Sequence, residues 1–140
     1  MSVEENLQLT KEFIEAYNKH DLDRTAEFWA DENEGSARKK YQRDFWLTAF
    51  PDTYMDVISM TAQEERVAVQ AVVRATHSGP LKTWVVEPVP ATNKKIEFPY
   101  CSVGQWENGK LKKLHVYINV GGIISQLGVK PDNVDWENLV

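Results

Sequence analysis

Phe50-Pro51-Asp52 separates two stretches of this chain that differ in hydrophobic period, and that change of period limits the possible folds more than any other feature. Before it, Leu7, Thr10, Phe13, Ile14 and Tyr17 recur at near-helical spacing, with Glu4, Glu5, Glu12, Glu15 and Lys19 mostly on the other side. Asp21 can accept from the free amides that open a second helix, in which Leu22, Ala26 and Trp29 recur and which ends near Asp31. Gly35-Ser36 offers the cap of a third helix, lined by Ala37, Tyr41, Phe45 and Thr48, and Pro51 must terminate it.

Beyond that boundary, β-branched and aromatic residues lie between turn signals, and strands are predicted over 54–61, 66–77, 81–86, 95–106 and 111–119. Val67, Val69, Ala71 and Val73 stand opposite Gln70 and Arg74, so one face of that strand is buried. Pro88, Pro90 and Ala91-Thr92-Asn93 mark a loop, and Pro99 marks a bulge or an edge. Asn108-Gly109 has the residues of a type I′ hairpin turn. Helices followed by antiparallel strands give an α+β fold, with the helices on one face of a curved sheet and residues 1–140 forming one domain.

With 16 basic against 21 acidic residues, the net charge of −5 disfavours phosphate-dominated binding, and no nucleic-acid partner is expected. No run of about 18 apolar residues can cross a bilayer. The acidic opening Met-Ser-Val-Glu-Glu matches neither a secretory signal nor a transit peptide, which gives a cytoplasmic expectation. The lone Cys101 forms no internal disulfide, and no Cys/His spacing matches a zinc site, so no metal is expected.

The stretch from His115 to Gly128 carries the densest chemistry. Strand alternation puts His115, Tyr117 and Asn119 on one face. Imidazole titrates near neutrality, so His115 can act as general base while Tyr117 and Asn119 hold a carbonyl oxygen. The opposite face carries Leu114, Val116 and Ile118, and burying each is worth about 1.5 to 3 kcal/mol, so something must pack on them. If that aliphatic face is the core, the three polar side chains point to water. The residues alone leave both orientations open.

The same stretch resembles SnoaL-like polyketide (ester) cyclases, whose pattern runs roughly Trp-x-Tyr-x-Asp, six residues, then Gln-Leu-Gly. Tyr117 and Gln126-Leu127-Gly128 fit, Asn119 stands where the family has its catalytic aspartate, and His115 where it commonly has tryptophan. Asn18-Lys19-His20-Asp21-Leu22 is similar to the family's Asn-x-Gly-Asp-Leu, and Phe50-Pro51-Asp52 to its Phe-Pro-Asp. Glu64 to Val69, Thr76-His77-Ser78-Gly79 and Asn108-Gly109-Lys110-Leu111 match further, whereas the segment from Asp31 to Gly35 is abbreviated.

The resemblance implies the cone-shaped nuclear transport factor 2-like fold, shared with ketosteroid isomerases: three N-terminal helices on a curved antiparallel sheet. It further implies a homodimer and a cavity for a hydrophobic small molecule, with a proton taken from beside a carbonyl and no cofactor. A carboxamide cannot take that proton near neutral pH but can donate to an oxyanion, so the base is expected at a pocket-facing His115. Trp29 and Trp84 are expected near the cavity, with Gln105 and His77 as further binding candidates. Ser78-Gly79 beside His77 also suits a hydrogen-bonded structural histidine. Two functions follow: a cofactor-independent enzyme acting on a hydrophobic ketone or ester, or a dimeric module that binds such a molecule without turnover.

Overall fold

The computed structural model describes residues 2–139. Ser2 caps α1 (Val3–Asn18), its hydroxyl accepting from the Glu5 amide at 3.1 Å. At the far end, the Asn18 carboxamide donates to Met55 O at 2.9 Å and accepts from Met55 N at 2.8 Å, which ties α1 to β1 (Tyr54–Gln63). Asp21 caps α2 (Leu22–Glu27), which stops four residues short of the expected end at Asp31. Past it, Leu111 N donates to Phe28 O at 2.7 Å, and Ala30 N donates to Leu111 O at 2.9 Å. These bonds place Trp29 beside the sheet.

The third helix begins earlier than Gly35-Ser36 suggests. Asp31 is the cap of α3 (Glu32–Tyr41), with Oδ1 accepting from Asn33 N at 2.8 Å, so the segment expected to be an abbreviated loop is helix. A π-helical turn over Gln42–Trp46 joins it to α4 (Leu47–Ala49), just before Pro51.

β1, β2 (Arg66–Thr76), β3 (Lys95–Glu107) and β4 (Lys110–Ile118) form an antiparallel sheet in chain order. Register shifts at Val57/Ser59 and Gln105/Trp106 bend it. Pro99 lies in β3, an interior strand, but the β4 ladder begins only at Tyr100↔Ile118, so β3 is locally an edge at Pro99 and needs no donor there.

The strand expected over 81–86 is absent. Trp84 adopts a φ of 72°, incompatible with extended backbone, and only isolated bridges form, Leu81 with Val89 and Val85 with Val134. A helix not foreseen, α5 (Val120–Leu127), follows β4. Within it, Gln126 closes the free edge of β3: its carboxamide accepts from Glu97 N at 3.0 Å and donates to Glu97 O at 2.9 Å.

Aromatic contacts, most of them edge-to-face, link the helical segments to one another and to the sheet. Phe13, Phe28 and Trp106 meet with centroids 5.4 to 6.4 Å apart, and Trp46 contacts Phe98 at 5.8 Å and Phe50 at 4.6 Å.

Candidate functional site

Between the three N-terminal helices and the sheet lies a cavity of about 410 Å³, a size that accommodates a small organic ligand. Phe13 and Tyr17 line it from α1, Trp29 from the segment after α2, and Val69, Tyr100 and Ser102 from the sheet. Leu114, Val116 and Ile118 supply its β4 wall. Tyr41 and Val116 line it while remaining 46% and 41% exposed, so the mouth opens between α3 and β4.

The polar groups of this cavity are mainly donors. Burial pushes the Tyr17 phenol up to about 12, against opposing contacts with Thr53 and Trp46. Partial burial pushes Tyr41 up to about 12, with the Arg38 charge opposing, and burial raises Tyr100, with Ser102 and Arg38 opposing. All three phenols are therefore protonated at neutral pH and can donate to a ligand oxygen. Arg38 is the one charged residue lining the cavity, and no Asp, Glu or His does so among the described residues.

This geometry corrects the expected orientation of β4. Leu114, Val116 and Ile118 face the cavity, and alternation turns His115 and Tyr117 to the other side of the sheet, where both are exposed and Tyr117 is 62% accessible. The helices cover the aliphatic face because burying three aliphatic side chains is favourable, whereas the face of His115 carries charged and polar neighbours such as Lys113 and Gln105. Asn119 is also exposed and is occupied as a cap: its Oδ1 accepts from Gly122 N at 2.9 Å and opens α5. Tyr117 and Asn119 border a depression of about 550 Å³ that opens on the outer face, together with Gln70, Pro99 and Cys101.

The ligand-binding candidates also separate. Trp29 lines the cavity, and the guanidinium of Arg38 stands 4.8 Å over its ring. Trp84 does not line it; it packs in the core against Phe45 at 4.9 Å. Gln105 lies outside it, donating to Glu65 Oε2 at 3.1 Å.

His77 is fully buried but outside the cavity. Its Nδ1 accepts from Thr92 N at 3.3 Å and lies 2.9 Å from Thr92 Oγ1, which assigns the ring hydrogen to Nε2. Burial holds this imidazole below its usual range, opposed in part by the Gly79 backbone, and the buried Nε2 makes no hydrogen bond of normal geometry among the described residues.

Sequence reasoning missed Arg38, Tyr41 and Tyr100. Tyr41 stood among the apolar positions of the third helix, and Arg38 in a short basic cluster that reads as a solvated face. Among the described residues, no group of three or more His, Cys, Asp or Glu is placed to hold a metal ion, and no helix is long and apolar enough to cross a membrane.

A family model described as SnoaL-like polyketide cyclase matches residues 8–127. AclR from Streptomyces galilaeus, a candidate hydroxylase, superposes with a TM-score of 0.77 at 25% identity, over 93% of this chain and 100% of that one. A candidate polyketide cyclase from Xanthomonas campestris gives a TM-score of 0.74 at 16% identity, over 89% of this chain and 98% of that one. IdmH from Streptomyces antibioticus, also a candidate polyketide cyclase, gives 0.69 at 21% identity, over 89% and 99%. The last two likenesses concern the fold alone. No protein of curated function matches this chain.

Proposed function

This chain belongs to the SnoaL-like polyketide cyclase family, and from that membership we propose that its interior cavity binds a flat, hydrophobic ketone or ester and promotes proton transfer beside the carbonyl. The observation that carries this reading is the donor set: Tyr17, Tyr41, Tyr100 and Ser102 line a largely apolar, aromatic-walled space. Donors aimed at a carbonyl oxygen stabilise the enolate that forms when the adjacent carbon loses its proton. They thereby make that carbon more acidic. Because no carboxylate or imidazole lines the cavity among the described residues, the proton leaves to water at the mouth, and the protein supplies the oxyanion partners and no base.

The missing base favours one alternative, in which the cavity holds such a molecule without turning it over. Deuterium uptake by a bicyclic β-keto ester, methyl 1-oxotetralin-2-carboxylate, separates the two by NMR in D₂O. The enzyme reading expects exchange at the carbon between the carbonyls to be accelerated, and Tyr17→Phe or Tyr100→Phe to cut the acceleration by up to about a hundredfold. Saturable binding with no acceleration supports the binding module, and no binding rejects both.

The outer face of the sheet we assign to a homodimer contact. On this otherwise polar face Tyr117 is 62% exposed beside a depression lined by Pro99 and Cys101, and an exposed apolar patch with a polar rim is commonly an interaction surface. Light scattering is expected to give twice the chain mass, and Tyr117→Arg to give the single-chain mass. A monomeric wild type rejects the assignment.

A further inference from the structure

Arg38, the one charged residue that lines the cavity among the described residues, is held from two sides. Its Nε donates to Glu34 Oε1 at 2.9 Å, one turn earlier on α3, and its guanidinium stands over Trp29 with Cζ 4.8 Å from the ring centroid. Nη2 reaches Leu114 O at only 3.5 Å, on the opposite lip of the mouth, and Nη1 makes no hydrogen bond among the described residues. Glu34 and Trp29 thus fix the plane of the fork while leaving N–H groups for another acceptor. An arginine so fixed is suited to the two oxygens of a carboxylate, since little freedom is left to lose when the bonds form.

The surroundings favour a negative group at this spot. The whole chain carries a net charge of −5, but the lining residues include this one cation and no acidic side chain. Tyr41 lines the mouth beside Arg38 on the same helix and, as a protonated phenol, can donate to the same group. Glu34 is outside the cavity and half-exposed, so solvent weakens its claim on Arg38.

We propose that the ligand of this cavity carries a carboxylate on its flat hydrophobic framework, bound at the mouth by Arg38 with help from Tyr41, so that the site selects a keto acid over the corresponding neutral ester. This rests on the reading of the cavity as a ligand site, and it adds which end of the ligand meets the mouth. The apolar rings enter between Trp29 and the sheet. Arg38 is a specificity-determining residue, and the chemistry at the ketone belongs to the deeper phenols.

Anthraquinone-2-carboxylate and its methyl ester test this directly. Both quench tryptophan fluorescence when stacked near Trp29, and they differ by one charge. The acid is expected to bind the wild type about tenfold to a hundredfold more tightly than the ester, the range for a hydrogen-bonded charged group. Arg38→Gln is expected to bring the ratio close to one, chiefly by loss of affinity for the acid. Arg38→Lys is expected to keep part of the preference, and Glu34→Gln to enlarge it. Far-UV circular dichroism checks that α3 survives each change. Equal affinities in the wild type, or a preference for the acid that persists in Arg38→Gln, would overturn the proposal and leave the ligand cavity standing. Failure of both compounds to bind would reject the cavity reading together with it.

Discussion

Asn119 Oδ1 accepts a hydrogen bond from Gly122 N at 2.9 Å, so the side chain that the sequence resemblance set at a catalytic position serves as the cap of α5. A cap of this kind satisfies one of the orphan amides at a helix start and is lost on truncation. Asn119→Ala is expected to lower unfolding stability by about 1 kcal/mol in urea titration, and Asn119→Asp, which keeps an acceptor in the same place, to retain it. Equal destabilisation by both substitutions would remove the capping role.

A second relationship concerns Gly79, where the chain turns out of β2. A Cβ placed on it would stand 1.8 Å from the Thr48 carbonyl oxygen, and the Gly79 amide donates to Ala49 O at 3.2 Å. The strand exit and the end of α4 are therefore in backbone contact. Gly79→Ala is expected to cost about 2 to 3 kcal/mol, measured as a shift in the denaturation midpoint. A neutral substitution would mean that the two backbones stand further apart.

His77 gives the fold an acid-side sensitivity. Burial lowers its folded value, so below about pH 6.5, the ordinary imidazole value, the unfolded chain takes up a proton that the folded chain refuses. Stability is therefore lost as pH falls through that range, down to the depressed folded value, and this contribution is constant above it. In His77→Gln, the fall in denaturation midpoint between neutral and mildly acid pH is expected to be smaller than in the wild type. An unchanged slope would assign the acid sensitivity to other groups.

Much of the architecture was legible because local chemistry and the global fold agree. The period change at Phe50-Pro51-Asp52 does separate helices from sheet, and Asn108-Gly109 takes positive φ at both residues, 50° and 78°, between β3 and β4. The Gln126-Leu127-Gly128 match now has a physical content: Gln126 seals the edge of β3 at Glu97, Leu127 is buried, and Gly128 ends α5 with a φ of 73°.

The site was less legible, for an equally physical reason. Alternation along β4 sorts His115 and Tyr117 from Leu114 and Val116 but does not say which set the helices cover, because that depends on packing from residues a hundred positions away. Trp84 was misplaced because its left-handed backbone leaves no trace in hydrophobic periodicity. Arg38 was missed because a basic residue on a helix reads as solvated until a cavity is known to lie beside it.

Adjacent residues on β4 provide the sharpest test, since Val116 lines the cavity and His115 faces away from it. Fluorescence titration with anthraquinone-2-carboxylate can compare Val116→Trp with His115→Trp, two bulky changes one position apart. Val116→Trp is expected to fill the mouth and abolish binding, while His115→Trp binds as the wild type does. Loss of binding in His115→Trp with retention in Val116→Trp would place the ligand on the outer face of the sheet and contradict the interior site.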